Sequence, residues 1–229
     1  MSIRTVVTVV AAGAAASMAL GEFVPFLTSV GAEFQLSLTA AGLLSSAITL
    51  VAGLTCLPLG LWVDRRRLRG FFVAGLAALG VAGLAATLAG GPTALFVSRA
   101  VQAAGYALVM ITGPGLLARL LEGRSRQTAL ALWGLCIPSG LALAGALGGL
   151  TTGWRAEVAA VGAITVLLAV PAATLPPDAP PGRAPGHRPD RVHEMEGGRE
   201  DGGGNGRRHG QEHDRERGRA GGRGGRCRG

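Results

Sequence analysis

Three polar side chains lie inside stretches of sequence that are otherwise apolar. Glu22 lies in LGEFVPFLTSV, and Arg99 and Gln102 lie in SRAVQAAGYAL. Residues three positions apart lie on one face of a helix, so Arg99 and Gln102 share a face. A carboxyl group in apolar surroundings loses its burial cost when it gains a proton, which links charge to conformation. We therefore expect Glu22, Arg99 and Gln102 to take part in proton coupling or in binding a small molecule.

The sequence leaves a simpler interpretation open for both charges. Glu22 lies near one end of its apolar stretch, so its carboxylate could reach water at the interface. Arg99 lies only about seven residues into its own stretch and could extend its long side chain outward in the same way.

A second group of charges fills a short connector, GLWVDRRRLRG at residues 60–70. An acid, Asp64, lies among arginines that include Arg65 and Arg69. A carboxylate at a helix end can accept charge-assisted hydrogen bonds from arginine and from free N–H groups of a neighbouring helix. This arrangement indicates a latch between helices, although a plain basic loop would also account for the arginines.

The apolar stretches predict the fold class. A bilayer core of ~30 Å needs ~20 apolar residues in a helix. Six stretches have this length, at 5–31, 38–63, 70–90, 92–117, 127–151 and 154–175. They are rich in Gly and Ala, which allow helices to approach closely in lipid. We therefore predict an all-α membrane protein with six transmembrane helices in one bundle.

The connectors predict the orientation, because arginines near the ends of spans stay on the cytoplasmic side. Arginines precede the first span and fill the second and fourth connectors. The first connector offers only Glu33, and the fifth offers Arg155 beside Glu157. Six spans that alternate in this way place both termini in the cytoplasm, as expected of a multi-pass protein of the cell (inner) membrane.

The composition changes near residue 178. Residues 178–229 contain twelve arginines, nine acids and all four histidines. Such a segment buries too little apolar surface to fold, so we predict a transmembrane domain at 1–177 and a disordered cytoplasmic tail at 178–229. His209 and His213 have a spacing used by zinc sites but no accompanying cysteines, and we expect no metal, no other cofactor and no bound nucleic acid.

The polar motifs resemble those of the major facilitator superfamily. Its loop signature G-x-L-A-D-R-x-G-R-R is matched by Gly60, Asp64, Arg65 and Arg69, with Trp62, Arg67 and Leu68 as departures. Its motif R-x-x-Q-G-x-G is matched by Arg99, Gln102 and Gly105, with Ala103 in place of one glycine. In the fifth span Pro138 and Gly140 flank Ser139, where the family's antiporter helix has adjacent Gly and Pro. The segment around Glu22 looks like the first helix of drug and sugar efflux members.

The resemblance implies both a function and roles for these residues. The chain would form the N-terminal half of a secondary active transporter that moves small organic solutes by alternating access, coupled to protons. Gly60, Asp64, Arg65 and Arg69 would form the cytoplasmic gate. Arg99 would belong to an internal charge relay, and Gly105, Pro138 and Gly140 would pack or bend helices. No nucleophile, base and orienting group converge in one segment, so we do not expect an enzyme.

The resemblance covers one six-helix half, whereas the family usually has two. Three explanations remain open: a truncated or frameshifted product, a half that pairs with a second half or as a homodimer, and a native six-helix protein. The change of composition near residue 178 favours the first. The alternative function is a non-transporting membrane adaptor that anchors a basic cytoplasmic tail.

Overall fold

A computed structural model of the protein describes residues 3–63 and 67–176, without the side chains of residues 62 and 63. Over these ranges the chain is helical and contains no strand. The helices are α1 (Ile3–Met18), α2 (Leu27–Glu33), α3 (Leu38–Val63), α4 (Leu68–Ala86), α5 (Pro92–Leu120), α6 (Gly123–Gly134), α7 (Cys136–Gly148) and α8 (Trp154–Ala173), with a short 3₁₀ helix (Val24–Phe26) before α2. The predicted tail at 178–229 lies outside the described residues.

Four of the helices in these ranges are long and apolar enough to cross a membrane: α3, α4, α5 and α8. They correspond to the spans predicted at 38–63, 70–90, 92–117 and 154–175. Helices α6 and α7 become a fifth candidate if the pair is taken as one bent span. An all-helical membrane bundle is therefore confirmed, whereas the count of six spans stays a prediction.

The first predicted span, 5–31, is wrong as a single continuous helix. Helix α1 ends at Met18, tight turns follow, and the chain continues as the 3₁₀ helix and α2. Glycine, here Gly21, has a lower helix propensity than any residue except proline, and Pro25 cannot donate a backbone hydrogen bond. The break places Glu22 in a turn, where it lies beside helices from elsewhere in the chain.

The fifth predicted span is also interrupted. Helices α6 and α7 meet at Leu135 with an angle of 40° between them. Pro138, in the first turn of α7, has no N–H to bond to a carbonyl four residues earlier, which accounts for a bend near this point. Gly140 then lets α7 lie directly on α1, since a β-carbon there would be 2.5 Å from Ser17 Cβ.

Glycines bring the central helices into backbone contact. A β-carbon at Gly105 of α5 would lie 2.7 Å from the Gly75 oxygen of α4, and one at Gly80 of α4 would lie 2.8 Å from the Gly162 oxygen of α8. Helix α4 thus packs between α5 and α8. The many small residues in the sequence allow this close approach, and dispersion between close backbones holds helices together in lipid.

The two ends of the bundle carry different polar contacts. At the end where α4 begins, the Arg69 guanidinium donates to the Ala173 carbonyl at the end of α8. A cation at this position is favourable because the C-terminal carbonyls of a helix carry partial negative charge. We call this the Arg69 end and the opposite one the Trp154 end.

At the Trp154 end one carboxylate joins two distant segments. Glu33, at the end of α2, accepts hydrogen bonds from Trp154 Nε1 at 2.7 Å and pairs with Arg155 Nη2 at 2.6 Å. Arg155 also donates to the Thr87 carbonyl beyond α4 and stacks over the Trp154 ring. The hydrogen bonds from Arg155 and from Trp154 lower the pKa of the Glu33 carboxyl group, which lies outside the spans.

We predict that Gly105→Ala destabilises the bundle by about 1–3 kcal/mol, because the added methyl group would collide with the backbone of α4. Gly53→Ala is the matched control. It is also in mid-helix, on α3, but its added β-carbon would meet nothing within 4 Å. Its effect should be neutral or stabilising by up to about 1 kcal/mol. Thermal unfolding of the purified protein in detergent measures both, and equal effects would contradict the close contact.

The ion pair and hydrogen bonds of Glu33 predict that the free energy of unfolding depends on pH. A carboxyl group whose pKa is lower in the folded than in the unfolded state stabilises the fold above the unfolded value, about 4.3, and this contribution is lost as the pH falls through the folded value. Acidification below about pH 4.3 should therefore destabilise wild type more than Glu33→Gln, by less than about 1 kcal/mol because the pair is partly exposed. Glu122→Gln, an exposed carboxylate at the start of α6, is the control and should behave as wild type.

Candidate functional site

The polar residues predicted to act together do meet in the structure. Glu22 reaches the site from the turn after α1, whereas Arg99 and Gln102 reach it from one face of α5. The side chains of all three are at most 1% exposed. Two separate apolar stretches thus contribute one buried cluster, which lies towards the Trp154 end, since Phe23 contacts Trp154.

An ion pair forms the centre of this cluster. Arg99 Nη1 lies 2.6 Å from Glu22 Oε1 and 3.0 Å from Gln102 Oε1. Gln102 Nε2 in turn donates to the same Glu22 oxygen at 3.0 Å. One carboxylate oxygen therefore accepts from both α5 side chains, while Glu22 Oε2 has no hydrogen-bond partner among the described residues.

The backbone satisfies the rest of the guanidinium group. Arg99 Nη2 donates to the Ala19 carbonyl at 2.9 Å, and Nε donates to the Leu44 carbonyl of α3 at 3.2 Å. The Phe23 ring lies 4.7 Å from the guanidinium carbon. Because α1 has already ended, Ala19 lies in a turn rather than in helix, and its carbonyl can face α5. The simpler interpretations of an interfacial Glu22 and an outward-reaching Arg99 do not fit this enclosed geometry.

Glu157, which the sequence pattern assigns to the fifth connector, is a buried acid. It lies in the first turn of α8 and is fully buried, and neither of its carboxyl oxygens has a hydrogen-bond partner among the described residues. A helix N-terminus stabilises a negative charge by at most ~2 kcal/mol. Burial of an ionised carboxylate costs several kcal/mol, so the helix alone does not compensate for it. Glu157 is two residues from the exposed Arg155, but residues two apart on a helix lie on different faces. The sequence pattern therefore does not indicate that Glu157 is buried.

The predicted gate residues are described only in part. Gly60 lies on α3, where a β-carbon would meet nothing within 4 Å, and Arg69 lies on α4 at the opposite end from Glu22. Asp64 and Arg65 lie outside the described residues. A latch through Asp64 therefore stays a prediction.

The predicted packing residues lie apart from the ion pair. Gly105 is one turn beyond Gln102 on α5 and faces α4. Pro138 and Gly140 are on α7, where Gly140 faces α1. They are positioned to set helix spacing and direction.

A cavity of about 440 Å³ opens beside the bundle between α1, α7 and α8. Its lining is apolar, with Met18, Leu143, Leu147 and Leu168 among the contributors. None of the cluster residues lines it, so the cavity can accept apolar groups but not the charges that the cluster would recognise. Within the described residues no three His, Cys, Asp or Glu side chains are grouped as a metal site would require.

Comparison with known proteins identifies the fold. The family model for the Major Facilitator Superfamily matches residues 7–211. A bacterial homologue of the human lysosomal transporter Spinster, in an inward-facing and unoccupied conformation, superimposes with a TM-score of 0.70 at 18% identity. The match covers 81% of this chain and 47% of that one. The same homologue in an inward-facing and occupied conformation gives 0.68 at 18% identity, over 76% and 44%.

A further match is the proton:xylose symporter XylE bound to 6-bromo-6-deoxy-D-glucose. Its TM-score is 0.65 at 17% identity, over 76% of this chain and 45% of that one. The chain thus spans less than half the length of these solved transporters. Among curated protein sequences, no match is found.

The ion pair predicts strong non-additivity between its two members. Glu22→Leu leaves a buried guanidinium without its counter-ion and should cost about 3–5 kcal/mol in stability. Adding Arg99→Met removes that unpaired charge, so the double variant should be more stable than Glu22→Leu alone. A double-mutant cycle of unfolding in detergent measures the coupling. Additive effects would show that the two side chains are energetically independent.

Proposed function

Because the chain belongs to the major facilitator superfamily, we propose that it works as the N-terminal six-helix half of a secondary active transporter for small organic solutes. The proposal includes alternating access and coupling to protons. Membrane transport, rather than catalysis, is the activity to which the family points. Both termini would face the cytoplasm of a cell (inner) membrane.

The observation that carries the proposal is the enclosed ion pair between Glu22 and Arg99. Ionisable side chains inside a membrane are rare and usually belong to pathways for protons, ions or substrates. Here Glu22 comes from the turn after α1 and Arg99 from α5, and α3 supplies a third contact through its Leu44 carbonyl. A change of charge at Glu22 or Arg99 therefore alters the contacts between α3, α5 and the turn after α1.

The chemistry of the pair supports a proton as the coupling ion. Glu22 can become neutral by binding a proton at its carboxylate, whereas Arg99 keeps its charge. Protonation would remove the attraction between them and leave the guanidinium short of a counter-ion. Arg99 could then bind an anionic or hydroxyl-rich group of a solute, with Gln102 supplying a second polar contact.

The solute would lie between two halves, since such sites form near the midplane where the repeats meet. This chain would meet either a separate C-terminal half or a second copy of itself. Asp64, with Gly60, Arg65 and Arg69, would close the cytoplasmic side by joining α3 and α4 to neighbouring helix ends. The segment around Glu22 favours the drug and sugar efflux members as the subtype.

Reconstituted transport tests the proposal. Liposomes containing the protein, with or without a co-reconstituted C-terminal half from a structurally similar transporter, are given an imposed pH gradient and a panel of labelled sugars and amphiphilic drugs. We expect wild type to accumulate at least one solute and Glu22→Gln to lose the gradient-driven part while it still exchanges solute at equilibrium. Glu122→Gln, remote from the cluster, should retain both.

The two parts of the proposal fail in different ways. Equal gradient-driven accumulation by wild type and Glu22→Gln would disprove coupling through Glu22 and leave transport standing. Absence of any protein-dependent flux under every pairing would disprove transport by this chain.

A further inference from the structure

The buried charges of the described residues do not balance. Two carboxyl groups, Glu22 and Glu157, and one guanidinium group, Arg99, have their side chains enclosed. Glu22 is paired with Arg99 at 2.6 Å. This leaves Glu157 without a counter-ion among the described residues, and the other enclosed carboxyl group, Glu22, lies at the same end of the bundle.

Among the described residues, no hydrogen bond or ion pair reaches either carboxyl oxygen of Glu157. Its Oε2 lies against the end of α7, where a β-carbon at Gly148 would be 2.8 Å away, and that position also adjoins Pro25. Proline has no N–H, and the buried hydroxyl of Thr151 in the following connector makes no hydrogen bond to any residue that the structure describes. Arg155, the neighbouring cation on α8, directs its guanidinium to Glu33 and Thr87.

Each charged group on the packed elements is therefore engaged elsewhere. Arg99 on α5 is engaged by Glu22, Gln102 and two carbonyls, and Glu33 after the 3₁₀ helix is engaged by Arg155 and Trp154. A carboxyl group left alone in such a place is far more stable neutral than ionised. One bound proton gives the enclosed set a net charge of zero.

We propose that Glu157 is a proton-binding site distinct from the Glu22–Arg99 ion pair. One proton from the aqueous phase binds one carboxylate oxygen, and the neutral group lets the first turn of α8 rest against Gly148 and Pro25. Loss of that proton creates a charge that requires water or a cation, so the ionised form favours separation of α8 from α7 and the 3₁₀ helix. The site is a property of the folded bundle and does not require that the protein transports a solute.

Infrared difference spectroscopy of the full chain in lipid tests this assignment directly. Wild type at neutral pH should show the carbonyl stretch of a protonated carboxyl group, shifted when H₂O is replaced by D₂O. Glu157→Gln should abolish the band. Glu122→Gln should retain it, because that carboxylate is exposed and lies outside the enclosed set of charges.

A second measurement uses stability. If the folded protein holds a proton at Glu157 that the unfolded chain releases, stability must fall as the pH rises. Glu157→Gln keeps the shape and the neutrality of the protonated group, so it should fold and should lose this pH dependence.

Several results would overturn the proposal. One is a wild type without a protonated carboxyl band, and another is a band that persists in Glu157→Gln. Failure of Glu157→Gln to fold would also contradict it, since a neutral isostere should be tolerated. Loss of the wild-type band on adding sodium ions at constant pH would assign the site to a metal cation instead.

Discussion

The guanidinium group of Arg99 is the feature on which the geometry of the site depends. It cannot lose its proton, and it lies fully enclosed among helices that are suited to lipid. Its donors must therefore find acceptors inside the protein, and they find them on α3, on α5 and in the turn after α1. The end of α1 at Met18 contributes to this, because the carbonyl of Ala19 and the carboxylate of Glu22 both come from the interruption.

Close helix packing is the second constraint, and it makes the polar cluster possible. Gly105 allows α5 to rest on the backbone of α4, one turn from Gln102. Gly83 of α4 faces the Gln102 amide, where a β-carbon would be 3.0 Å from its nitrogen. Small residues thus bring α4 and α5 together and leave room for the Gln102 side chain between them. A transport protein of this family would use such rigid packing so that a change of charge moves whole helices rather than single side chains.

Two buried acids differ in the groups that surround them. Glu22, in the turn after α1, has a guanidinium and an amide on one of its oxygens, whereas Glu157, in α8, has no hydrogen-bond donor on either oxygen within the part of the chain that the structure describes. Both acids lie at the Trp154 end of the bundle, and two ionised carboxylates there would repel each other. Coupled sites of this kind bind protons in steps that belong to the pair. The Trp154 end of the bundle therefore contains both an ion pair and a carboxyl group whose neutral form is the more stable one.

The helical membrane class, four continuous spans and the polar residues Glu22, Arg99 and Gln102 could be predicted from the amino-acid sequence, because a polar residue within an apolar run is visible without coordinates. The amino-acid sequence also locates the bend near Pro138, since proline removes a local hydrogen bond. Contacts in the folded bundle are needed to show that the first span is interrupted, that Arg99 is enclosed rather than extended to water, and that Glu157 is buried with no hydrogen-bond partner among the described residues. These outcomes depend on contacts between separate helices, such as Arg99 with Leu44 and Glu157 with Gly148, and a one-dimensional pattern does not record such contacts.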